Sequence, residues 1–166
     1  MKKALVLICS MLVGGFCFAQ RYQSFSYEET RSVNNASYRS VAYHCAMAFV
    51  NQNFTKFESF LTADFKKALK DEMQKEGKNY VQLYDSYYGT NPVKAIRPAL
   101  NAGYEPNCWL DMGCYEEGTK AKCNIAFVDS QFNAYLNKDG NQELFIRVKM
   151  VKNNGSWKVY KIEFYL

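Results

Sequence analysis

Four cysteines in the body of this chain carry the side chains with the greatest chemical potential. Six cysteines are present in all; two lie in an N-terminal apolar stretch and four follow it, namely Cys45, Cys108, Cys114 and Cys123. Thiols form disulfides, bind metal ions or stay buried as small apolar groups. A zinc site typically shows a close Cys-x-x-Cys pair, and these four contain none. The sequence therefore favours disulfides over free buried thiols, and it predicts no metal ligand set and no cofactor.

A disulfide between Cys108 and Cys114 is the predicted pairing. A bridge requires the two Cα atoms to come within about 7 Å of each other. A fully extended strand would hold these positions roughly 20 Å apart, so the pair closes only if the segment turns back, for instance at Met112-Gly113. A straight strand would instead favour a bridge between Cys114 and Cys123.

Few other residues are candidates for acid–base chemistry. His44 is the only histidine, and it lies beside an apolar helical stripe with no partner that the sequence can assign. Asp111 falls within a predicted strand, where a carboxylate is either a pocket base or an exposed side chain. Neither residue is assigned a catalytic role, because a general base needs a second polar group to act with it. Phosphate-binding loops and hydrolase motifs are absent from the sequence.

Tyrosines supply the candidate ligand-binding residues. Tyr80, Tyr84 and Tyr87 recur at helical spacing, and their rings and hydroxyls suit a ligand cavity. The alternative is that they form the inward face of a helix, since tyrosine can bury its ring and keep its hydroxyl hydrated.

Residues 1–19 have the three regions of a secretory signal peptide. Two lysines provide the positive charge, residues 4–18 are mostly apolar, and Cys17 and Ala19 are small residues at the positions that the signal peptidase reads. The apolar stretch is shorter than the roughly 20 residues that span a bilayer. We therefore expect cleavage before Gln20, export to the periplasm or the extracellular space, and no transmembrane segment in the mature chain.

The overall charge argues against nucleic acid as a partner. The formal net charge is +5, from 21 basic and 16 acidic residues. The basic residues are scattered and form no arginine-rich run, whereas nucleic-acid binding needs a basic patch.

The pattern of apolar residues predicts helices first and strands later. Helical spacing predicts helices over 37–52, 54–61, 62–77 and 80–88. Alternation then predicts strands over 94–100, 108–115, 120–128, 144–151 and 157–165, with turns at 137–140 and 153–155. In the last strand the apolar residues are odd-numbered up to Val159 and even-numbered from Tyr160 onward. Either both faces of this strand are covered or a β-bulge shifts the alternation by one residue. This order predicts an α+β fold in which helices pack on a curved, mostly antiparallel sheet.

Three segments together resemble the nuclear-transport-factor-2-like superfamily, and in particular its exported bacterial members. They are the helix Val41–Val50, the short segment Phe57–Thr62 and the hairpin Val148–Tyr160, which contains Gly155-Ser156-Trp157-Lys158-Val159. The resemblance implies a cone in which long helices close over a bent sheet and leave a pocket between them. The superfamily includes isomerases, dehydratases and non-catalytic members, so the fold does not determine the function.

The sequence thus divides into a signal peptide (1–19), a flexible lead-in (20–36) and one α+β domain (37–166). The favoured hypothesis is a non-catalytic exported domain that binds a small apolar ligand, a peptide or a protein partner in or near a pocket between helices and sheet. The alternatives are a cofactor-independent lyase or isomerase and a structural envelope protein.

Overall fold

A computed structural model describes residues 21–110 and 114–166. The predicted signal peptide lies outside the described residues. The helices are α1 (Tyr27–Arg31), α2 (Tyr38–Val50), α3 (Phe54–Phe60), α4 (Ala63–Glu76), α5 (Tyr80–Tyr88) and α6 (Pro92–Asn101). The strands are β1 (Tyr22–Ser24), β2 (Glu105–Trp109), β3 (Tyr115–Glu117), β4 (Lys120–Val128), β5 (Phe145–Asn153) and β6 (Ser156–Tyr165). No helix in the described ranges combines the length and apolar character needed to cross a bilayer.

Each helix begins at a polar side chain that accepts a hydrogen bond from the first turn. These caps are Ser26, Ser37, Asn53, Thr62, Asn79 and Asn91. A cap of this kind contributes about 1 kcal/mol to helix stability. Helices α4 and α5 end at Gly77 and Gly89, whose φ angles of 64° and 65° are ones that glycine adopts without steric cost. The four helices predicted before residue 90 are therefore confirmed.

Helix α6 occupies residues for which alternation predicted a strand. A capping asparagine precedes Pro92, which sits in the first turn where its missing N–H and fixed φ are tolerated. Ile96 and Ala99 follow at helical spacing and are fully buried. The predicted strand over 94–100 is wrong. The buried residues Ile96 and Ala99 are three positions apart, as in a helix, and Pro98 is accommodated inside that helix.

The strands form one open sheet in the order β1-β2-β4-β5-β6, with β3 also paired to β4. All of these strand pairs are antiparallel. The sheet includes part of the predicted flexible lead-in (20–36), since β1 pairs with β2 and α1 follows it. Arg39 of α2 holds this segment by donating to the Glu29 carboxylate at 2.6 Å and to the Ser24 carbonyl at 3.0 Å.

Helix α2 is the central element of the helical layer. It contacts β4, β5 and β6, while α3 and α4 contact β6. Its fully buried Phe49 packs its ring against Phe57, Tyr84 and Phe164, with centroid distances of 5.3, 5.2 and 4.8 Å. The predicted α+β class, with N-terminal helices packed on an antiparallel sheet, is confirmed.

A β-bulge in β6 explains the change of phase in the last strand. Lys149 pairs with Lys161, but the next residue, Met150, pairs with Val159, so Tyr160 is an extra residue. Tyr160 is exposed, whereas the apolar residues on both sides of it join the same core: Trp157, Val159, Ile162 and Phe164. One inserted residue thus keeps both halves of the strand facing the helices.

Candidate functional site

Three cysteines meet on the side of the sheet that faces the helices. Cys108 of β2 stands opposite Ile125 of β4, which lies two residues from Cys123 on the same face. Strand β3 pairs with an earlier part of β4, where Tyr115 stands opposite Lys122. The residue before Tyr115, Cys114, is therefore opposite Cys123. Directly opposite residues in an antiparallel pair point to the same face. The strand register therefore directs three thiols to one place.

The three sulfur atoms are in contact. Cys123 Sγ lies 3.6 Å from Cys108 Sγ and 3.5 Å from Cys114 Sγ. All three sulfurs lie within 4.8 Å of one another. Cys108 and Cys123 are buried, while Cys114 is partly exposed. These three residues are called the thiol cluster below.

Two strands bring Cys108 and Cys114 to the same edge of β4. Strands β2 and β3 are both antiparallel to β4, so they run in the same direction and lie end to end along it. The predicted strand over 108–115 is divided, since β2 ends at Trp109 and β3 begins at Tyr115. Asp111, a candidate base, and the predicted turn at Met112-Gly113 lie outside the described residues.

Hydrogen bonds favour one thiolate in the thiol cluster. The pKa of Cys114 is lowered from its ordinary value by hydrogen bonding with the Cys108 and Cys123 side chains and by the Asn124 backbone N–H, which donates to its sulfur at 3.1 Å. The pKa of Cys108 is raised by its interaction with Cys114 and by burial. The pKa of Cys123 is likewise raised by its two thiol neighbours and by burial.

Two residues of α2 interact electrostatically with the thiol cluster. Burial and the negative charge of the cysteines raise the pKa of Tyr38 to about 12. Arg39 contributes a positive charge that stabilises the Cys114 thiolate. Both residues, together with Leu110, also line an open polar depression of about 520 Å³ at the surface. Solvent therefore reaches the neighbourhood of the cluster from this side.

A separate cleft lies at the far end of the helical layer, between α6 and the hairpin that connects β4 to β5. Its volume is about 330 Å³. Apolar side chains form most of its wall: Ala95, Pro98, Tyr135, Leu144 and Leu166. Exposed charged side chains also line it: Lys94, Lys138 and Asp139. It is called the α6 cleft below.

No known protein family, curated protein or solved structure matches this chain. The thiol cluster and the α6 cleft are therefore interpreted from their own geometry.

The cysteines differ from the sequence-based expectation in two respects. No disulfide is formed among Cys45, Cys108, Cys114 and Cys123, which are all free thiols. The predicted partners Cys108 and Cys114 do come close, but as two members of a group of three. The absence of a Cys-x-x-Cys pair argued against a metal site, but that criterion considers only cysteines that are close in sequence. Here the strand register brings together cysteines that are distant in sequence. The alternation that placed Cys123 with Ile125 was the one local signal of this arrangement.

The candidate tyrosines belong to the packed interior and its margin. Tyr80 is buried and donates a hydrogen bond from its hydroxyl to the Glu58 carboxylate at 3.0 Å. Tyr84 is buried against Phe49 and Tyr87 is 47% exposed. None of the three lines the α6 cleft. Tyr80 and Tyr84 match the alternative interpretation, the inward face of a helix, whereas Tyr87 lies at the margin of that face. A ligand-binding role for the three residues stays a prediction.

His44 is positioned as a structural residue of α2. Its side chain is buried, and its Nε2 has no hydrogen-bond partner among the described residues. Burial lowers the pKa of His44, and the nearby positive charge of Lys56 lowers it further. His44 lines neither the α6 cleft nor the polar depression. The imidazole is therefore neutral in the folded protein at neutral pH.

Acidification should destabilise the protein through His44. Its folded pKa lies below the unfolded value of 6.5, so the unfolded chain binds the additional proton. The stabilising contribution is complete above pH 6.5 and is lost as the pH falls through that value toward the folded pKa. We expect the free energy of unfolding to fall by at most about 1.4 kcal/mol per pH unit in this window. Urea unfolding between about pH 7.5 and pH 5.5 measures it.

The variant His44→Asn provides the control, because His44 is the only histidine in the chain. Its free energy of unfolding should change less over the same pH window, whatever its absolute stability. Equal pH slopes for the two proteins would contradict the assignment to His44.

Proposed function

We propose that this protein is an exported, non-catalytic domain that binds a small amphipathic molecule in the α6 cleft. The observation that carries the proposal is the cleft itself, an apolar cavity of about 330 Å³ between helix and sheet. Small-molecule sites are concave, mostly apolar and about 300–1,000 Å³ in volume. The predicted signal peptide and the layout resembling the nuclear-transport-factor-2-like superfamily support the exported, pocket-bearing part of the proposal.

The charges in the cleft define the ligand more closely. Lys94 and Lys138 contribute two positive charges, and Asp139 contributes one negative charge. Apolar side chains such as Leu144 form the interior. A molecule with an apolar body and one anionic group would bury the body against these side chains and leave the anion beside the lysines. We therefore place anionic amphipathic compounds first among the ligand classes.

A cofactor-independent lyase or isomerase is the competing function. Such an enzyme needs a general base and a polar partner that face the bound molecule. The acidic group in the lining of the cleft is Asp139, which lies at an exposed turn, and His44 is not part of the lining. The non-catalytic interpretation is preferred for this reason.

Binding of 1-anilinonaphthalene-8-sulfonate, an apolar fluorophore with a sulfonate group, tests the proposal. We expect saturable binding of one molecule per chain. Ala95→Phe adds a ring to the wall of the cleft and should weaken binding by at least tenfold, or about 1.4 kcal/mol. The matched control is Ala68→Phe, at an exposed position of α4, which should bind the dye as the unmodified protein does. Equal loss in both variants, or unaltered binding by Ala95→Phe, would refute the cleft as the site.

A second comparison tests the role of charge in the cleft. Lys138→Ala should weaken binding of the sulfonated dye but not of its neutral relative N-phenyl-1-naphthylamine, whereas Lys75→Ala on α4 should affect neither. His44→Ala should leave dye binding within tenfold of the unmodified protein. A larger loss in folded His44→Ala would favour the enzyme hypothesis instead.

A further inference from the structure

The geometry of the thiol cluster does not single out two cysteines as the partners of a disulfide. Cys123 Sγ is in contact with two sulfurs at nearly equal distances, 3.6 Å to Cys108 and 3.5 Å to Cys114. A disulfide would use two of the three residues and leave the third thiol without a role. A site that uses all three sulfurs accounts for the arrangement without singling out a pair.

A cation fits between the three sulfurs with little movement. Zinc binds thiolate sulfur at about 2.3 Å. Tetrahedral angles then place two bound sulfurs about 3.8 Å apart, close to the 3.5 and 3.6 Å separations in the cluster. All three sulfurs already lie within 4.8 Å of one another. Shifts of a few tenths of an ångström would bring the two contacting pairs to the spacing of zinc ligands.

We propose that Cys108, Cys114 and Cys123 bind one zinc ion, with the fourth tetrahedral position left to water or another exogenous ligand. This inference goes beyond the proposed function, because the α6 cleft is lined by other residues. Cys108 lies on β2 and Cys114 directly precedes β3, and these two strands lie end to end. Cys123 lies on β4, the strand that pairs with both. The ion would join β4 to the end of β2 and the start of β3.

Charge favours zinc over copper(I), the other common cation with high affinity for thiolates. Three thiolates with Zn²⁺ leave one net negative charge, whereas three thiolates with Cu⁺ leave two. Burial of uncompensated charge is costly, and Cys108 and Cys123 are buried. The positive Arg39 interacts with the cluster but is also engaged by the Glu29 carboxylate at 2.6 Å. The divalent ion therefore leaves less charge to compensate.

The geometry also provides access for the ion. Cys114 is partly exposed, and Tyr38 and Arg39, which interact electrostatically with the thiol cluster, line the polar depression. An entry path and room for an exogenous ligand are features required of a three-residue zinc site. We therefore expect the fourth position to face the side on which Cys114 meets solvent.

Metal titration of the full mature chain, reduced and kept anaerobic, tests the proposal. We expect one equivalent of Zn²⁺ in competition with a chromophoric chelator, with proton release to the buffer as thiols ionise. Co²⁺ should give the sulfur-to-cobalt charge-transfer and d–d bands of a tetrahedral site. X-ray absorption at the zinc edge should show three sulfur neighbours at about 2.3 Å and one lighter atom.

Cysteine variants connect the bound ion to the thiol cluster. Cys114→Ser changes the partly exposed ligand and should weaken zinc affinity by more than about 100-fold, beyond the 10- to 100-fold typical of outer-shell changes. The matched control is Cys45→Ala, which removes the one cysteine of the mature chain outside the cluster and should retain one equivalent. The absorption measurement on the unmodified protein tests the ligand set even if a variant fails to fold.

Several results would overturn the proposal. They are zinc absent or bound with fewer than three sulfur neighbours, equal zinc loss in folded Cys45→Ala, and one equivalent of copper(I) bound with no affinity for zinc. Non-reducing peptide mapping that finds a disulfide within the cluster of the exported protein would equally overturn it. Each result leaves dye binding in the α6 cleft to be judged separately.

Discussion

Replacing Phe49 with alanine is expected to lower the free energy of unfolding by about 3–5 kcal/mol. The side chain is fully buried in α2 and contacts aromatic rings from three other elements, including Phe57 of α3, Tyr84 of α5 and Phe164 of β6. The substitution removes buried apolar surface and leaves a cavity among rings that cannot collapse freely. Alanine is the best helix former, so the loss reports on tertiary packing rather than on α2 itself.

Phe132→Ala is the matched control for this experiment. Phe132 is 42% exposed, and a surface substitution of this kind changes stability by about 0.5 kcal/mol or less. Urea unfolding of both variants gives the two free energies. A loss below about 1 kcal/mol for Phe49→Ala would contradict its central place in the core.

Deletion of Lys149 from β5 is expected to destabilise the protein by about 3–6 kcal/mol. Without this residue, Val148 and Met150 become neighbours and point to opposite faces of the sheet, so the buried Ile146, Val148 and Met150 cannot all face the helices. Met150 stands opposite Val159 of β6. At least two apolar side chains would therefore be displaced from the core, and each contributes about 1.5–3 kcal/mol when buried. Natural domains are stable by only about 5–15 kcal/mol, so the deletion removes a large part of the total.

The substitution Lys149→Ala separates the phase of the strand from the side chain. It keeps the backbone residue and removes one partly exposed side chain with its ion pair to Glu163, so we expect a loss of less than about 1 kcal/mol. Circular dichroism during denaturant unfolding compares the two variants. Comparable stability of the deletion and the substitution would show that alternation along β5 does not decide which side chains enter the core.

The fold class and most elements could be predicted because their signals are local. Thr62 and Gly77 mark both ends of α4 through capping and left-handed backbone geometry. The turn at Asn154-Gly155 closes the terminal hairpin, with both residues at positive φ. The change of parity around Tyr160 indicated a possible bulge from sequence alone. Helix α6 was missed because the seven residues 94–100 were assigned to a strand, and so short an apolar run fits a strand as well as a helix.

The sites could be predicted only in part. The cysteines were identified as the residues with chemical potential, and Cys108 and Cys114 were expected to approach each other. Cys123 was assigned to the same neighbourhood only as an alternative partner. The residues of the α6 cleft were not identified, because Ala95 and Leu144 carry no chemical signal and become a wall only when α6 packs beside the β4–β5 hairpin.

By itself, the sequence determined where four of the helices begin and end, where the terminal hairpin turns and which strand faces are apolar. Caps, turn residues and periodicity act between residues only a few positions apart, so their physics is contained in short segments. Only the tertiary structure decided that Cys108, Cys114 and Cys123 converge and that a cleft opens beside α6. Both features depend on strand register and helix packing. These are selected by burial of the whole core, so no single segment of the sequence contains enough information to predict them.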